Sequence, residues 1–156
     1  MDQVIAQQQG GPIDLYFLDV NTTELFTASS DRIPPIEAPS DKEANREAEE
    51  ESEKQYSGVR AQVFTCTTCD DEDDRWIGYL EKYTPEAKAA MEEAIRGDGA
   101  PDLEAIHELE DERLVKLPTK DDWIKASSEE AVDIYTAIRD RCEEDQRPRQ
   151  CFPGRH

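Results

Sequence analysis

The cysteines are the residues of this chain whose spacing comes nearest to a known chemistry. Cys66 and Cys69 form a Cys-x-x-Cys pair, and two thiolates at that spacing can bind one tetrahedral zinc ion. A structural zinc site needs four ligands, and Cys151 with His156 supplies a second local pair. The candidate zinc ligands are therefore Cys66, Cys69, Cys151 and His156, and the sequence indicates no other cofactor.

Three other interpretations of the cysteines stay open. All four thiols can be reduced, with Cys142 packing as a small apolar side chain on its helix. Cys142 and Cys151 can form a disulfide if the protein is in an oxidising compartment. Dithiol catalysis at Cys66 and Cys69 is disfavoured, because the five acidic residues that follow oppose formation of a thiolate.

An acidic run followed by aromatic residues is the second candidate site. The run comprises Asp70, Asp71, Glu72, Asp73 and Asp74. Trp76, Tyr79 and Tyr83 follow at positions i, i+3 and i+7, a spacing that places the three rings near one face of a helix. Such rings usually pack in a core. The functional alternative is a protein-binding patch rimmed by acid, since Trp and Tyr are common at interface centres.

No motif in the sequence points to catalysis. The chain has no Gly-rich phosphate loop, no Gly-x-Ser-x-Gly elbow and no His-Glu-x-x-His pair. Residues 70–81 partly match a calcium-binding EF-hand loop, but Arg75 stands at the sixth position, where that loop needs Gly. We therefore expect a protein without enzymatic activity.

The net charge of the chain limits the classes of molecule that it can bind. Thirty-eight acidic residues oppose eighteen basic ones, which gives a net charge of −20 over 156 residues. Such a surface repels a polyanion, so direct nucleic-acid binding is not expected, and no run of residues is apolar enough for a membrane span. We expect a soluble protein, cytoplasmic or virion-associated, whose partner is another protein with a basic surface. Adaptation to high salt is a competing explanation of the acidity.

The apolar pattern predicts strands in the N-terminal half. Residues 13–20 form the densest apolar run, and residues 24–28 make a second strand that returns antiparallel after a short loop. Residues 59–66 alternate well enough to form a third strand. The prolines between residues 29 and 40 favour an extended segment outside the centre of the sheet.

The second half of the chain has the pattern of short helices. Thr84, which precedes a proline, is a suitable N-cap for the first of them, and residues 103–109 form another. Ser127 and Glu130 match a capping box at the start of a third helix, whose apolar positions extend to Cys142. The fold class predicted is α+β, with a small antiparallel sheet from the N-terminal half and a C-terminal group of short helices.

The composition predicts one domain with loose ends. Residues 1–12 form a flexible lead-in, residues 13–145 the domain, and residues 146–156 a basic C-terminal tail. Residues 37–57 are strongly acidic and almost without apolar positions, so we expect a flexible segment within the domain. Docking of the tail on an acidic face of a second copy would give a homo-oligomer.

The N-terminal residues resemble the opening of phage tail-fibre assembly proteins. The resemblance covers residues 13–17, 23–26, 30–31 and 33–35, which read as a strand pair followed by a proline-containing extension. It implies a chaperone-like role in virion assembly and transfers no binding residue. The leading hypothesis is thus a non-enzymatic acidic adaptor or accessory protein, in its more specific form phage- or virion-associated. The alternatives are a DNA mimic that inhibits a nucleic-acid-binding enzyme and a small zinc-stabilised binding module.

Overall fold

A single antiparallel sheet is the framework of the molecule. The computed structural model describes residues 12–96 and 100–153, and seven strands of this part of the chain form the sheet. They are β1 (Asp14–Asp19), β2 (Glu24–Ser29), β3 (Gly58–Thr65), β4 (Arg75–Lys82), β5 (Leu114–Lys116), β6 (Ile124–Lys125) and β7 (Arg149–Cys151). Their order is β2-β1-β3-β4-β5-β6, and β7 pairs with β3.

Four α-helices accompany the sheet within the described residues. They are α1 (Lys42–Glu47), α2 (Pro85–Arg96), α3 (Leu103–Glu110) and α4 (Ala131–Asp140). Three of them lie in the second half of the chain, so the predicted α+β class is confirmed. Among the described residues no helix is long and apolar enough to cross a bilayer.

The first three predicted strands are confirmed. β1 and β2 pair along their whole length as an antiparallel hairpin, and Thr23 in the connecting turn has a positive φ of 59°. The alternation of β1 buries Leu15 and Phe17 on one face of the hairpin. These two side chains pack with Ile36, which follows the proline-rich segment, and form the core at this end of the sheet.

β3 lies in the middle of the sheet and has two neighbours on one edge. β1 pairs with its residues 58–60 and β7 with its residues 63–65. β4 occupies the other edge, opposite residues 60–65. The C-terminal segment is therefore part of the sheet, and it extends the domain beyond residue 145.

A β-bulge changes the direction of side chains along β4. Tyr79 lies opposite Gln62 and Ile77 opposite Val63, so Gly78 is an extra residue in β4. A Cβ at Gly78 would lie 2.6 Å from a ring carbon of Phe64, which explains why the bulge residue is a glycine. The extra residue brings Trp76 and Tyr79 to the same face of the sheet, where both pack in one apolar cluster.

The helix α4 covers this face. Its residues Ala131, Ile134 and Ile138 are buried against Val115 of β5, with Phe64, Trp76 and Tyr79 at the border of the cluster. A second cluster joins α2 to α3 through Met91 and Ile106. The apolar stripes of α2 and α4 are thus buried, and α3 contributes half-buried Ile106 and Leu109 to the cluster with α2.

The predicted helix starts are confirmed in one case and wrong in another. Thr84 caps α2, since its hydroxyl accepts a hydrogen bond from the backbone N–H of Ala87 at 3.1 Å. The capping box at Ser127 is wrong, because α4 begins at Ala131 and its N-cap is Glu130, without a side-chain hydrogen bond. α4 ends at Asp140, so Cys142 lies beyond the helix on which the sequence placed it.

The acidic segment 37–57 is held to the domain by polar side chains. Asp41 is completely buried and accepts hydrogen bonds from the backbone N–H groups of Ala38 and Ser57 and from the Ser57 hydroxyl. Asn45 is also buried and makes two hydrogen bonds with the backbone of Gln55. These contacts replace the apolar stripe that α1 lacks. Residues 1–11 of the predicted lead-in lie outside the described residues.

Candidate functional site

Glu72 of the acidic run and Trp76 border one groove, which is the best candidate for a binding site. Residues Glu72–Asp74 form a 3-10 turn directly before β4, and the groove beside it has a volume of about 190 Å³. Its apolar and aromatic lining comes from the strands β1, β2, β3 and β4, and the acidic part of its border comes from the turn. The lining residues are Tyr16, Leu25, Val63, Glu72, Arg75, Trp76 and Ile77.

We call this groove the Tyr16–Trp76 groove. Arg75 connects its aromatic lining to its acidic border. Its guanidinium donates a hydrogen bond to the hydroxyl of Tyr16 at 2.9 Å and lies 3.9 Å from the carboxylate of Glu72. The guanidinium carbon is also 5.9 Å from the centre of the Tyr16 ring. Arg75 therefore fixes the position of one aromatic wall relative to the acidic turn.

The acidic turn is ordered by its own side chains. Asp71 accepts a hydrogen bond from the backbone N–H of Asp73 at 3.0 Å, and Asp74 accepts one from the hydroxyl of Thr67 at 3.0 Å. All five residues of the run are exposed. Asp71 and Asp74 thus shape the turn, while Glu72 and Asp73 are exposed and Glu72 lies at the edge of the groove.

The ring of Trp76 is held in place by the guanidinium of Arg141 and the ring of Phe64. The guanidinium carbon of Arg141 lies 4.8 Å from the centre of the Trp76 ring, and the ring of Phe64 packs at 6.2 Å. A second groove, of about 320 Å³, begins at Trp76 and continues between Pro118 and Ile138. Trp76 lies opposite Phe64 in the register, on the other face of the sheet from Tyr16 and Leu25, so its half-buried indole belongs to the α4 side and to this second groove.

The other two predicted aromatic residues lie elsewhere. The prediction that Trp76, Tyr79 and Tyr83 share a helical face is wrong, because residues 75–82 form β4. Tyr79 packs edge-on against Tyr135 with ring centres 5.5 Å apart. Burial, with a smaller contribution from Glu81, raises the pKa of Tyr79 to about 12. Tyr83 is buried in the cluster between α2 and α3.

Two groove residues were missed by the sequence analysis. Tyr16 and Leu25 lie on adjacent strands, and Leu25 is 43% exposed although it is a large apolar residue. The signal was present in the strand pattern: with Leu15 and Phe17 on the core face, Tyr16 has to point to the opposite face. The register places Leu25 opposite Leu18, on the same face as Tyr16.

The four cysteines form two disulfides. Cys66 is joined to Cys142, and Cys69 is joined to Cys151. The expectation of reduced thiols and the alternative Cys142–Cys151 pairing are therefore wrong. Both halves of the Cys-x-x-Cys pair are linked to the C-terminal segment, because β7 lies beside the end of β3 and brings Cys151 next to Cys69.

The zinc hypothesis has no ligand set in this arrangement. A sulfur in a disulfide has no thiolate to give to a metal, and the described residues contain no group of three or more cysteine, histidine or acidic side chains that could hold a metal ion. The fourth predicted ligand, His156, lies outside the described residues. The described part of the chain thus uses Cys66, Cys69 and Cys151 as covalent links between the sheet and the C-terminal segment.

Comparison with models of known families, with curated proteins and with solved structures finds no significant match to this chain. The resemblance to phage tail-fibre assembly proteins and the DNA-mimic hypothesis therefore stay predictions. For mimicry, the carboxylate of Asp41 is not accessible, because it is buried and occupied by hydrogen bonds within the domain.

Proposed function

We propose that this protein is a non-enzymatic adaptor that binds a basic segment of another protein at the Tyr16–Trp76 groove. The observation that carries the proposal is the position of the acidic turn, which borders an apolar groove lined by Tyr16 and by the exposed Leu25. Protein interfaces have the same organisation, with aromatic residues at the centre and a polar rim.

The electrostatics of the chain favour a basic partner. The net charge of −20 attracts cations over long distances, and a complementary potential raises the rate of encounter. At the groove, Glu72 and Asp73 offer carboxylates for Lys or Arg side chains. The groove itself accepts an apolar side chain between Leu25 and Ile77. The expected ligand is thus a segment with an apolar anchor and basic neighbours.

The disulfides bear on where the adaptor acts. Stable disulfides are typical of proteins that mature in an oxidising environment and are rare in the cytosol. Of the two locations expected from the sequence, a virion-associated one agrees better with two disulfides than a cytoplasmic one. The disulfides thus favour a place on the virion, and the N-terminal resemblance is the reason for the phage-associated form of the proposal.

The proposal can be tested without knowledge of the natural partner. A displayed library of random peptides is selected against the immobilised, oxidised protein, and the most enriched peptide is synthesised and titrated. Isothermal titration calorimetry of the peptide into the protein then reports its affinity and its stoichiometry. We expect enriched sequences that combine Lys or Arg with an aliphatic or aromatic residue, and an affinity that falls as salt is added.

Two matched pairs of variants locate the binding site. Leu25→Asp should weaken the peptide by roughly tenfold or more, whereas Leu103→Asp, at a residue 74% exposed on α3, should have no effect. Glu72→Gln with Asp73→Asn should weaken it at low salt, whereas the same charge change at Glu108 and Asp111 should not. Enrichment of acidic peptides, or equal effects of Leu25→Asp and Leu103→Asp, would refute the proposed function.

A further inference from the structure

Two lysines and a tryptophan converge on β4, β5 and the start of β6. In the register of the sheet Leu80 lies opposite Lys116 and Lys82 lies opposite Leu114, so the two lysines are diagonal neighbours on one face. The Nζ of Lys82 lies 4.6 Å and the Nζ of Lys116 lies 5.6 Å from the centre of the Trp123 ring. The two ammonium groups are therefore within about 10 Å of each other.

These ammonium groups lack the carboxylate partner that three of the other five lysines have among the described residues. Lys54, Lys88 and Lys125 each have a carboxylate oxygen within 4 Å. Neither Lys82 nor Lys116 has one among the described residues, although the chain has 38 acidic residues. Lys116 donates a hydrogen bond to the carbonyl of Lys120 at 2.6 Å, and that contact leaves its positive charge unneutralised.

The surroundings of Lys82 and Lys116 increase the electrostatic repulsion between their ammonium groups. Lys82, Lys116 and Trp123 are all half-buried, so water screens the two charges incompletely. Burial, followed by repulsion from Lys116, lowers the pKa of Lys82. An anion between the two ammonium groups would remove the repulsion and gain two charge-assisted hydrogen bonds.

We infer that Lys82, Lys116 and Trp123 form a binding site for a small oxyanion, a phosphate or a carboxylate group. The flexible stems of the two lysines let both ammonium groups approach the same anion, and their cation–π contacts with the Trp123 ring hold the two groups near each other. A large polyanion does not fit this role, because the net charge of −20 repels it. The site does not depend on the Tyr16–Trp76 groove.

The two tryptophans allow a test with an internal control. The indole N–H groups of Trp76 and Trp123 give two signals in a ¹⁵N–¹H spectrum, and Trp123→Phe identifies the signal of Trp123. Inorganic phosphate and, separately, succinate are titrated at constant ionic strength, with sodium chloride as balance. We expect at least one of the two anions to shift the Trp123 signal to saturation while the Trp76 signal stays in place.

Variants of single lysines show whether the charges act as proposed. Lys82→Gln or Lys116→Gln should weaken anion binding by roughly tenfold or more, because each removes one hydrogen bond to a charged group. Lys125→Gln removes the same charge from the adjacent strand, where Lys125 already pairs with Glu112, and should change the affinity by roughly twofold at most. Saturation by phosphate alone assigns a phosphate site, and saturation by succinate alone assigns a carboxylate site.

The inference is overturned if neither anion produces a saturable shift of the Trp123 signal. It is also overturned if both indole signals move in parallel, or if Lys125→Gln weakens binding as much as Lys82→Gln does. The titration of the unsubstituted protein decides the first two outcomes, so a variant that fails to fold does not leave the inference without a test.

Discussion

Removal of both disulfides should lower the free energy of unfolding by more than twice the loss caused by removal of either one. Cys66–Cys142 closes a loop of 76 positions and Cys69–Cys151 a loop of 82 positions. By the chain-entropy relation for a single crosslink, either loop alone stabilises the folded state by about 4.5 kcal/mol at 25 °C. If the two crosslinks were independent, the loss of both would cost twice that amount.

The crosslinks are not independent, because they join neighbouring points of the same two segments. Once Cys66 and Cys142 are linked, the path from Cys69 to Cys151 crosses only three positions on one side and nine on the other. For an effective loop of about 12 residues the same relation gives about 3 kcal/mol. Each single removal should therefore cost about 3 kcal/mol and the removal of both about 7.5 kcal/mol, a large part of the total stability of a typical domain.

The free energy of unfolding is measured by urea titration with circular dichroism on three variants. These are Cys66→Ala with Cys142→Ala, Cys69→Ala with Cys151→Ala, and the combination of all four substitutions. The same variants in excess reductant are the control, since the remaining differences then report only the packing of Ala in place of Cys. Single losses of about 4.5 kcal/mol that add up in the fourfold variant would refute the argument from adjacent crosslinks. A count of four free thiols in the denatured wild type would refute the pairing itself.

Three further predictions follow from the packing of the sheet and its acidic segment. Gly78→Ala should destabilise the protein by about 1–3 kcal/mol in a urea titration, because the added methyl overlaps the ring of Phe64; an unchanged midpoint would contradict the bulge. Asp41→Ala should cost about 2–4 kcal/mol, since it leaves buried backbone N–H groups without an acceptor; a loss below the error of the titration would show that the segment is not anchored there. The pKa of Tyr79 is raised to about 12, so its contribution to stability is complete below the ordinary tyrosine pKa of 10 and is lost as the pH rises towards 12. In a phenolate absorbance titration, Tyr79→Phe should remove a late-titrating component, and its persistence would disprove the assignment.

The local elements were predictable from the sequence where one face of a segment is apolar. β1 follows from its dense apolar run, β2 from its return after a short loop and β3 from the alternation of its apolar residues, while α2 follows from Thr84 and the proline after it. The helix predicted across Trp76 and Tyr79 was wrong for a definite reason. Spacing of i and i+3 normally separates two residues onto opposite faces of a strand, but the bulge at Gly78 returns both to one face, which imitates a helical period.

The candidate site was predictable only in part, because it depends on contacts between distant segments. The acidic run and Trp76 are adjacent in the chain, and the sequence located them. Tyr16 and Leu25 reach the groove only through the pairing of β1 with β2 and β3. The disulfide partners likewise depend on β7, a three-residue strand too short to have a recognisable pattern.

The position of β7 has a consequence for synthesis of the protein. The backbone groups of residues 63–65 that face away from β4 are paired only after residues 149–151 have left the ribosome. Until then the central strand of the nascent chain has an open edge, the kind of edge that recruits strands from other chains. Translation must therefore pass about 85 residues beyond that edge before it closes, and a chaperone or fast release is needed most during that interval.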